Sequence, residues 1–390
     1  MKKYLKNSLT LSFIGLIIAG CGGKASFTMP PSSPTLQPIT QITTPTLQKV
    51  TLLLPLSGSF AASGKMIRDG FLAAYYASKK YGQTNLAINF VDTNSGNIKE
   101  LYNQAISRGA EFIVGPLTKS EVENIATLDP LPVPTLVLNT IDNYSTSKIS
   151  NFYQFGLSSR DEAAQIAKKA WDNNLHQALI IVPDNARGRN LATTLNDAWR
   201  YLGGTVKTTV FYTNITSANQ NIRTALDIQV DTNPKHNTKI KPYEGNDIDV
   251  VFLIASPEQG REVQPLIRFY INPNIPVYTT SDIYSGIMQA NLDTDLEGII
   301  FCDMPWILQA DRLQEPLLSV YRNSSGRSHS RLYALGIDAY YLMLNFKQMA
   351  SNSNNAFNGA TGLLNIDKYQ HVYRTLIFAQ MRNGLPIILP

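Results

Sequence analysis

The sequence predicts an α/β protein made of two doubly wound parallel-sheet lobes. Three observations lead there. Short apolar runs alternate with helical patterns, and that alternation gives parallel strands covered by helices. One such series ends near residue 150 and a second starts near 157. The stretch from residue 49 onward holds roughly 340 residues, more than a single core usually spans.

The N-terminus precedes all of this. Lys2, Lys3 and Lys6 form a positive region, and Leu9 to Ala19 is almost wholly apolar. That run is too short for a comfortable membrane-spanning helix and fits an export signal. It ends Ile18-Ala19-Gly20-Cys21, small residues followed by cysteine. If residues 1–20 are removed, three lysines go with them, and the formal charge falls from +5 to +2. Gly22 to Gln48 contains five prolines, six threonines, one lysine and no acidic residue. It cannot bury a core, and such a composition favours extended chain. At about 3 Å per residue it reaches roughly 80 Å, so residues 21–48 are expected to be a tether.

The body opens with Val50 to Leu54, an apolar run fit for a buried strand. Pro55 stops it, small residues from Ser57 to Gly64 form a loop, and Ile67, Phe71, Ala74 and Tyr75 share one helix face. Strands are expected at Leu86–Val91, Glu111–Val114 and Pro134–Leu138, with helices at Asn97–Ser107 and Ser120–Leu128. Ser120 and Glu123 fit a capping box. Phe152–Leu157 leads to a helix over Arg160–Trp171, after which Ala178–Val182 restarts the pattern. A helix through Trp199, a strand at Val206–Tyr212 and a helix at Asn219–Leu226 follow. Val250–Ile254 and Val277–Thr279 are strands around a helix at Pro257–Phe269. Gly298–Phe301 adds a strand, Arg331–Lys347 a long helix, and Leu376–Phe378 a short closing apolar run.

Composition excludes some function classes. A near-neutral mature body with mixed charges argues against nucleic acid as a partner. With Cys21 used in processing, Cys302 is the remaining thiol, so no internal disulfide forms. Cys302 directly follows the apolar strand Gly298–Phe301 and is expected to be buried and inert. His176, His236, His329 and His371 lack metal-ligand spacing, and no phosphate-loop, dinucleotide or nucleophile-elbow pattern occurs, so no cofactor or metal is expected. Ser145-Thr146-Ser147-Lys148 fits an SxxK nucleophile motif, but it lies in a polar stretch and no KTG follows, so an enzyme is not expected.

Ile-Ala-Gly-Cys resembles the bacterial lipoprotein signal, with Ile18 where Leu is usual. The resemblance implies cleavage before Cys21 and acyl chains, palmitate among them, on its sulfur and amino group. Several chains anchor stably without a spanning helix. Gly22 after the cysteine resembles outer-membrane rather than retained lipoproteins. The body, from LLLPLSG at Leu52–Gly58 through RDGFLAA at Arg68–Ala74 and FIVGPLTKSEVE at Phe112–Glu123, resembles type I periplasmic-binding proteins. With VPTLVLN at Val133–Asn139, FYQFGLSSRDEA at Phe152–Ala163, DVVFLIA at Asp249–Ala255, LEGIIFCDMPW at Leu296–Trp306 and RLYALGIDAY at Arg331–Tyr340, it is similar to the penicillin-binding-protein activator lipoproteins, the LpoA or LppC family. The resemblance implies crossings between lobes near 157, 304 and 361, with 49–156 and 305–360 in lobe 1 and 157–304 and 361–390 in lobe 2. It implies an outer-membrane lipoprotein, facing the periplasm, that binds a class A penicillin-binding protein and stimulates its transpeptidase. Well-known members carry a helical-repeat domain ahead of this body, where this sequence has the Pro/Thr-rich stretch.

Candidate site residues follow the strand ends, where crevices form in open α/β sheets. They are Ser57, Gly58, Ser59, Ser63, Gly115, Pro116, Thr118, Ser120, Asn139, Asp184 and Asn185. Their hydroxyls and amides could hold a small polar ligand, which would make the chain a solute receptor for an amino-acid-like ligand of an ABC transporter. Alternatively the crevice is idle and the partner binds outside, the reading the resemblance favours. The polar insertion Asp227–Asp247, basic through Lys235, Lys239 and Lys241, is either a solvated loop or a docking element.

Overall fold

The computed structural model of the protein describes residues 37–38, 47–79, 86–141, 149–228, 243, 245–324 and 330–390. After a two-residue strand β1 (Gln37–Pro38), the body begins with β2 (Lys49–Leu54), α1 (Ala61–Lys79), β3 (Ala87–Asp92), α2 (Ile98–Ser107), β4 (Phe112–Val114), α3 (Lys119–Ala126), β5 (Thr135–Val137) and β6 (Phe152–Gln154). Five of these strands form a parallel sheet in the order β3-β2-β4-β5-β6. β2 lies inside that sheet with neighbours on both sides, so Val50–Leu54 is buried on both faces and, Thr51 apart, apolar.

The second series is α4 (Ser159–Asp172), β7 (Gln177–Pro183), α5 (Ala186–Leu202), β8 (Thr205–Tyr212), α6 (Ile215–Ala225), β9 (Val250–Leu253), α7 (Pro257–Tyr270), β10 (Val277–Thr279), α8 (Ala290–Asp293) and β11 (Ile300–Asp303). α9 (Pro305–Leu308), α10 (Leu317–Arg322) and α11 (Arg331–Ser351) come next, then β12 (Asn355–Asn358), β13 (Leu363–Ile366), β14 (Val372–Thr375), β15 (Ile377–Arg382) and β16 (Leu385–Ile388). The second sheet has seven strands in the order β16-β15-β11-β10-β9-β7-β8. It is parallel except at β15 and β16, which run antiparallel as a hairpin along β11. A third, four-stranded sheet has the order β1-β12-β13-β14, and an isolated bridge from Gln154 to His371 ties it to β6.

Packing joins these layers into one body. α11 is apolar nearly all round and buried along most of its length, as such a helix must be. It lies against α1 with backbones in contact. A Cβ on Gly70 would stand 2.0 Å from the Tyr333 carbonyl oxygen, and one on Gly336 would stand 2.0 Å from the Ile67 carbonyl oxygen. One apolar cluster takes in Leu52 and Phe112 of the first sheet, Ile180 and Phe252 of the second, and Phe155 and Trp306 between them.

Several expectations move. The α3 capping box is formed by Thr118 and Glu121, not Ser120 and Glu123, because the N-cap lies two residues earlier, just ahead of a helix that begins at Lys119. α6 starts at Ile215, where Asn214 and Ser217 cap it, so four residues read as loop are helical. After α11 the chain first completes the small sheet with β13 and β14 and then enters the seven-stranded sheet at Leu376–Ile377. The closing apolar run proved to be the start of a hairpin that reaches Ile388. Among the described residues no helix is long and apolar enough to cross a membrane.

Candidate functional site

The strand-end residues fall into groups on two sheets. On the first sheet, the loop after β2 exposes Ser57, Gly58 and Ser59, while Ser63 is half-buried in the first turn of α1. This loop is braced by Asp92, the last residue of β3. The Asp92 carboxylate accepts hydrogen bonds from the Leu56 amide at 2.8 Å, the Ser57 amide at 3.3 Å and the Asn94 amide at 3.1 Å. The Asn94 side-chain amide donates in turn to the Ser57 carbonyl. Against a burial penalty, the Ser57 hydroxyl and these amides hold the Asp92 carboxyl below its ordinary value. The amides at the end of β2, where an anionic ligand group would be caught, are therefore already bonded to a carboxylate of the chain itself.

The neighbouring loops are equally self-contained. Gly115 adopts φ of +101°, and a Cβ there would stand 2.0 Å from the Leu53 carbonyl oxygen, so only glycine fits between β4 and β2. Gly115 and Pro116 are buried and are held to the end of β5 by Gly115 N to Leu136 O at 2.8 Å and Leu138 N to Pro116 O at 2.9 Å. Thr118 caps α3, its hydroxyl 2.7 Å from Glu121 Oε2 and 3.5 Å from the Ser120 hydroxyl. Asn139 donates to the Leu117 carbonyl at 2.9 Å, which brings Thr118, Ser120 and Asn139 into one corner. On the second sheet, Asp184 pairs with Arg189, and Asn185 caps α5 by accepting from the Gly188 amide at 2.8 Å. Arg187 beside them bonds Ser159 at 2.9 Å and Asp282 at 2.5 Å.

The most densely charged buried region lies elsewhere, where the chain passes between the sheets. Glu162 of α4 is buried and accepts from the Ser281 amide at 3.0 Å and the Ser281 hydroxyl at 2.8 Å. Arg374 of β14 comes within 3.6 Å of Glu162 and donates to the Gly156 carbonyl at 3.1 Å. Asp303, the last residue of β11, takes both arms of Arg331 at the start of α11. Asp338, two turns further along α11, accepts from Ala360 N at 2.7 Å and from Thr361 N and Oγ1 at 2.6 Å each. Burial pushes the Glu162 carboxyl up, Arg374 opposes this and Asp303 reinforces it. Burial also raises Asp338 to about 6 against the Thr361 and Ala360 hydrogen bonds. Sequence reasoning missed all five residues. The signal was there for two of them: Asp303 ends the apolar run IIFC and Asp338 interrupts LYALGI-AYYLML, and a lone carboxylate in a buried run must have partners.

Cys302 is fully buried, and burial raises its thiol well above the ordinary value. His176 packs on Trp171, and His371 lies 3.7 Å from Asp161. Among the described residues no three His, Cys, Asp or Glu converge as metal ligands. Cys21, His236, His329, the SxxK stretch Ser145–Lys148 and Lys235, Lys239 and Lys241 lie outside the described residues.

Comparison with known proteins adds the lineage. Penicillin-binding protein activator LpoA of Vibrio cholerae is 29% identical over 344 residues, covering 84% of this chain and 56% of that protein. The chain thus spans about half the length of the curated relatives it matches. The C-domain of LpoA (YraM) from Haemophilus influenzae, a regulator of PBP1A, superposes with a TM-score of 0.70 at 23% identity, over 88% of this chain and all of that one. The leucine binding protein LivK of Thermotoga maritima superposes with a TM-score of 0.53 at 16% identity, over 88% of this chain and 98% of that one. At these identities the structures speak for the fold alone, which is that of type I periplasmic-binding proteins, as expected. The model of the family described as "LppC putative lipoprotein" matches residues 25–384, and the chain belongs to that family.

Proposed function

We propose that this protein is a non-enzymatic activator of a class A penicillin-binding protein, held by lipid on Cys21 at the periplasmic face of the outer membrane. The observation that carries this reading is the match of the two-lobed body to proteins named penicillin-binding protein activators. The crevice supports it: the amides after β2 are held by Asp92, and Thr118, Asn139 and Asn185 are spent on caps and loop ties. Gly22 after Cys21 supports the outer membrane. The division into lobes, 49–156 with 305–360 and 157–304 with 361–390, and a tether over 21–48 belong to the same proposal.

The test is binding and turnover together. Purified lipoprotein in detergent is expected to bind a purified class A synthase and to raise its peptide cross-linking. A second reading, a receptor for amino-acid-like solutes, is favoured by the shared fold with a leucine binding protein. Tight binding of a free amino acid in calorimetry, with no affinity for any class A synthase, would replace the activator reading with the receptor one.

A further inference from the structure

Two-lobed proteins that close on ligands swing about the few strands joining their lobes. In this chain the joining segments are wired together. Arg331 opens α11, which packs on α1 of the first lobe, yet its guanidinium reaches three separate points of the second. Its Nε donates to Asp303 Oδ1 at 3.0 Å, and its Nη2 donates to Asp303 Oδ2, to the Tyr284 carbonyl at 2.9 Å and to the Ser281 carbonyl at 3.3 Å. Asp303 is 1% exposed, so the pair is sheltered from water on the carboxylate side. Ser281 passes the connection on, because its amide and hydroxyl bind Glu162. Glu162 faces Arg374, whose other arm holds the Gly156 carbonyl. Gln165 of α4 completes the set by bonding both the Arg374 carbonyl at 3.0 Å and the Leu376 amide at 2.9 Å. Gly156, Asp303 and Leu376 each stand at one of the three passages between the sheets.

We infer that Arg331 is a latch that holds the two lobes at one angle, so that the protein presents a fixed two-lobed surface and does not open and close around a solute. A guanidinium is a planar fork with donors in fixed directions. Anchored at Asp303, Tyr284 and Ser281 at once, it cannot follow a rotation of α11 against the second lobe without losing an acceptor. Losing Arg331 would strand a buried charge on Asp303, the costliest way to break such a pair. The inference stands whether or not the activator reading does.

The test is a distance distribution between spin labels on the full-length lipoprotein in detergent, carried by Glu123→Cys on α3 and Thr193→Cys on α5, both exposed positions. Cys302 is buried and stays unlabelled. The otherwise native chain is expected to give one narrow distribution, unchanged by millimolar leucine. Arg331→Met should broaden it or add a second, longer distance. Arg331→Lys, which keeps the charge but loses the fork, should broaden it less. Two populations in the otherwise native chain, or a shift with leucine, would overturn the latch. So would a folded Arg331→Met variant with an unchanged distribution. Failure of both variants to fold would overturn the latch, making Arg331 a requirement of folding rather than of the angle between the lobes.

Discussion

At the scale of single residues, buried carboxylates carry the measurable pH response. Asp338 has no exposure, and its carboxyl titrates at about 6 rather than at its ordinary 3.8. The folded chain therefore holds this proton more tightly than the unfolded chain. The linked stabilisation is fully present below about pH 4 and is lost as pH rises through about 6. Its size is of order 3 kcal/mol at most. Asp338→Asn cannot titrate, so its melting temperature should vary less between pH 4 and 7 than that of the wild type. Equal slopes in a calorimetric series would show that Asp338 is not the group responsible. The same residues mark the limit of sequence reasoning about the site. Glu162, Ser281, Asp303, Arg331 and Arg374 are scattered over more than two hundred positions, and although Asp303 stands out as a carboxylate ending an apolar run, nothing local says which residues are its partners. Only the convergence of the three passages brings them together. Ser57, Thr118, Asn139 and Asn185 can be placed from the sequence because strand ends are legible, and the hydrogen bonds they make serve the loops and caps themselves.

At the scale of elements, the contact of α1 with α11 depends on two glycines. Helix propensity alone would favour Gly336→Ala by about 1 kcal/mol. Here the added methyl meets the backbone of Ile67, which cannot yield as a side-chain tip would. We expect Gly336→Val to cost about 3 kcal/mol or more, from overpacking of a dense core. Urea titration reads this directly, and a variant as stable as wild type would mean that the helices separate freely. Long buried elements of this kind were plain in the sequence: apolar runs gave β2, β7 and β9, and the apolar stretch gave α11. The small sheet was not plain. Asn355–Asn358 and Val372–Thr375 are four-residue strands with mixed polarity, too short for a period to declare itself. The final hairpin did leave a trace, since Asn383 and Gly384 take φ of +52° and +70°, as an Asn-Gly hairpin turn requires.

At the scale of the whole molecule, two predictions concern reach and attachment. Cys21→Ser should leave the protein unprocessed or soluble, and fractionation of the variant with outer membrane would show that Cys21 is not the anchor. Replacing Lys235, Lys239 and Lys241 by Ser should slow association with the proposed partner, a class A synthase, and weaken its salt dependence, if that insertion steers docking. An unchanged association rate across a salt series would remove the insertion from the interface. The pairing of α1 with α11 has a consequence of another kind, for biogenesis. A secreted chain emerges amino end first, so α1 leaves the translocon about 250 residues before α11, the helix that covers it, and even the last strand of the first sheet precedes α11 by more than 170 residues. Until α11 arrives, the apolar face of α1 that carries Phe71 lacks the Tyr340 ring it packs on, and exposed apolar surface of this kind invites aggregation. A chain cut after residue 324 should accordingly aggregate or be degraded during export, even though it retains every strand of the first sheet.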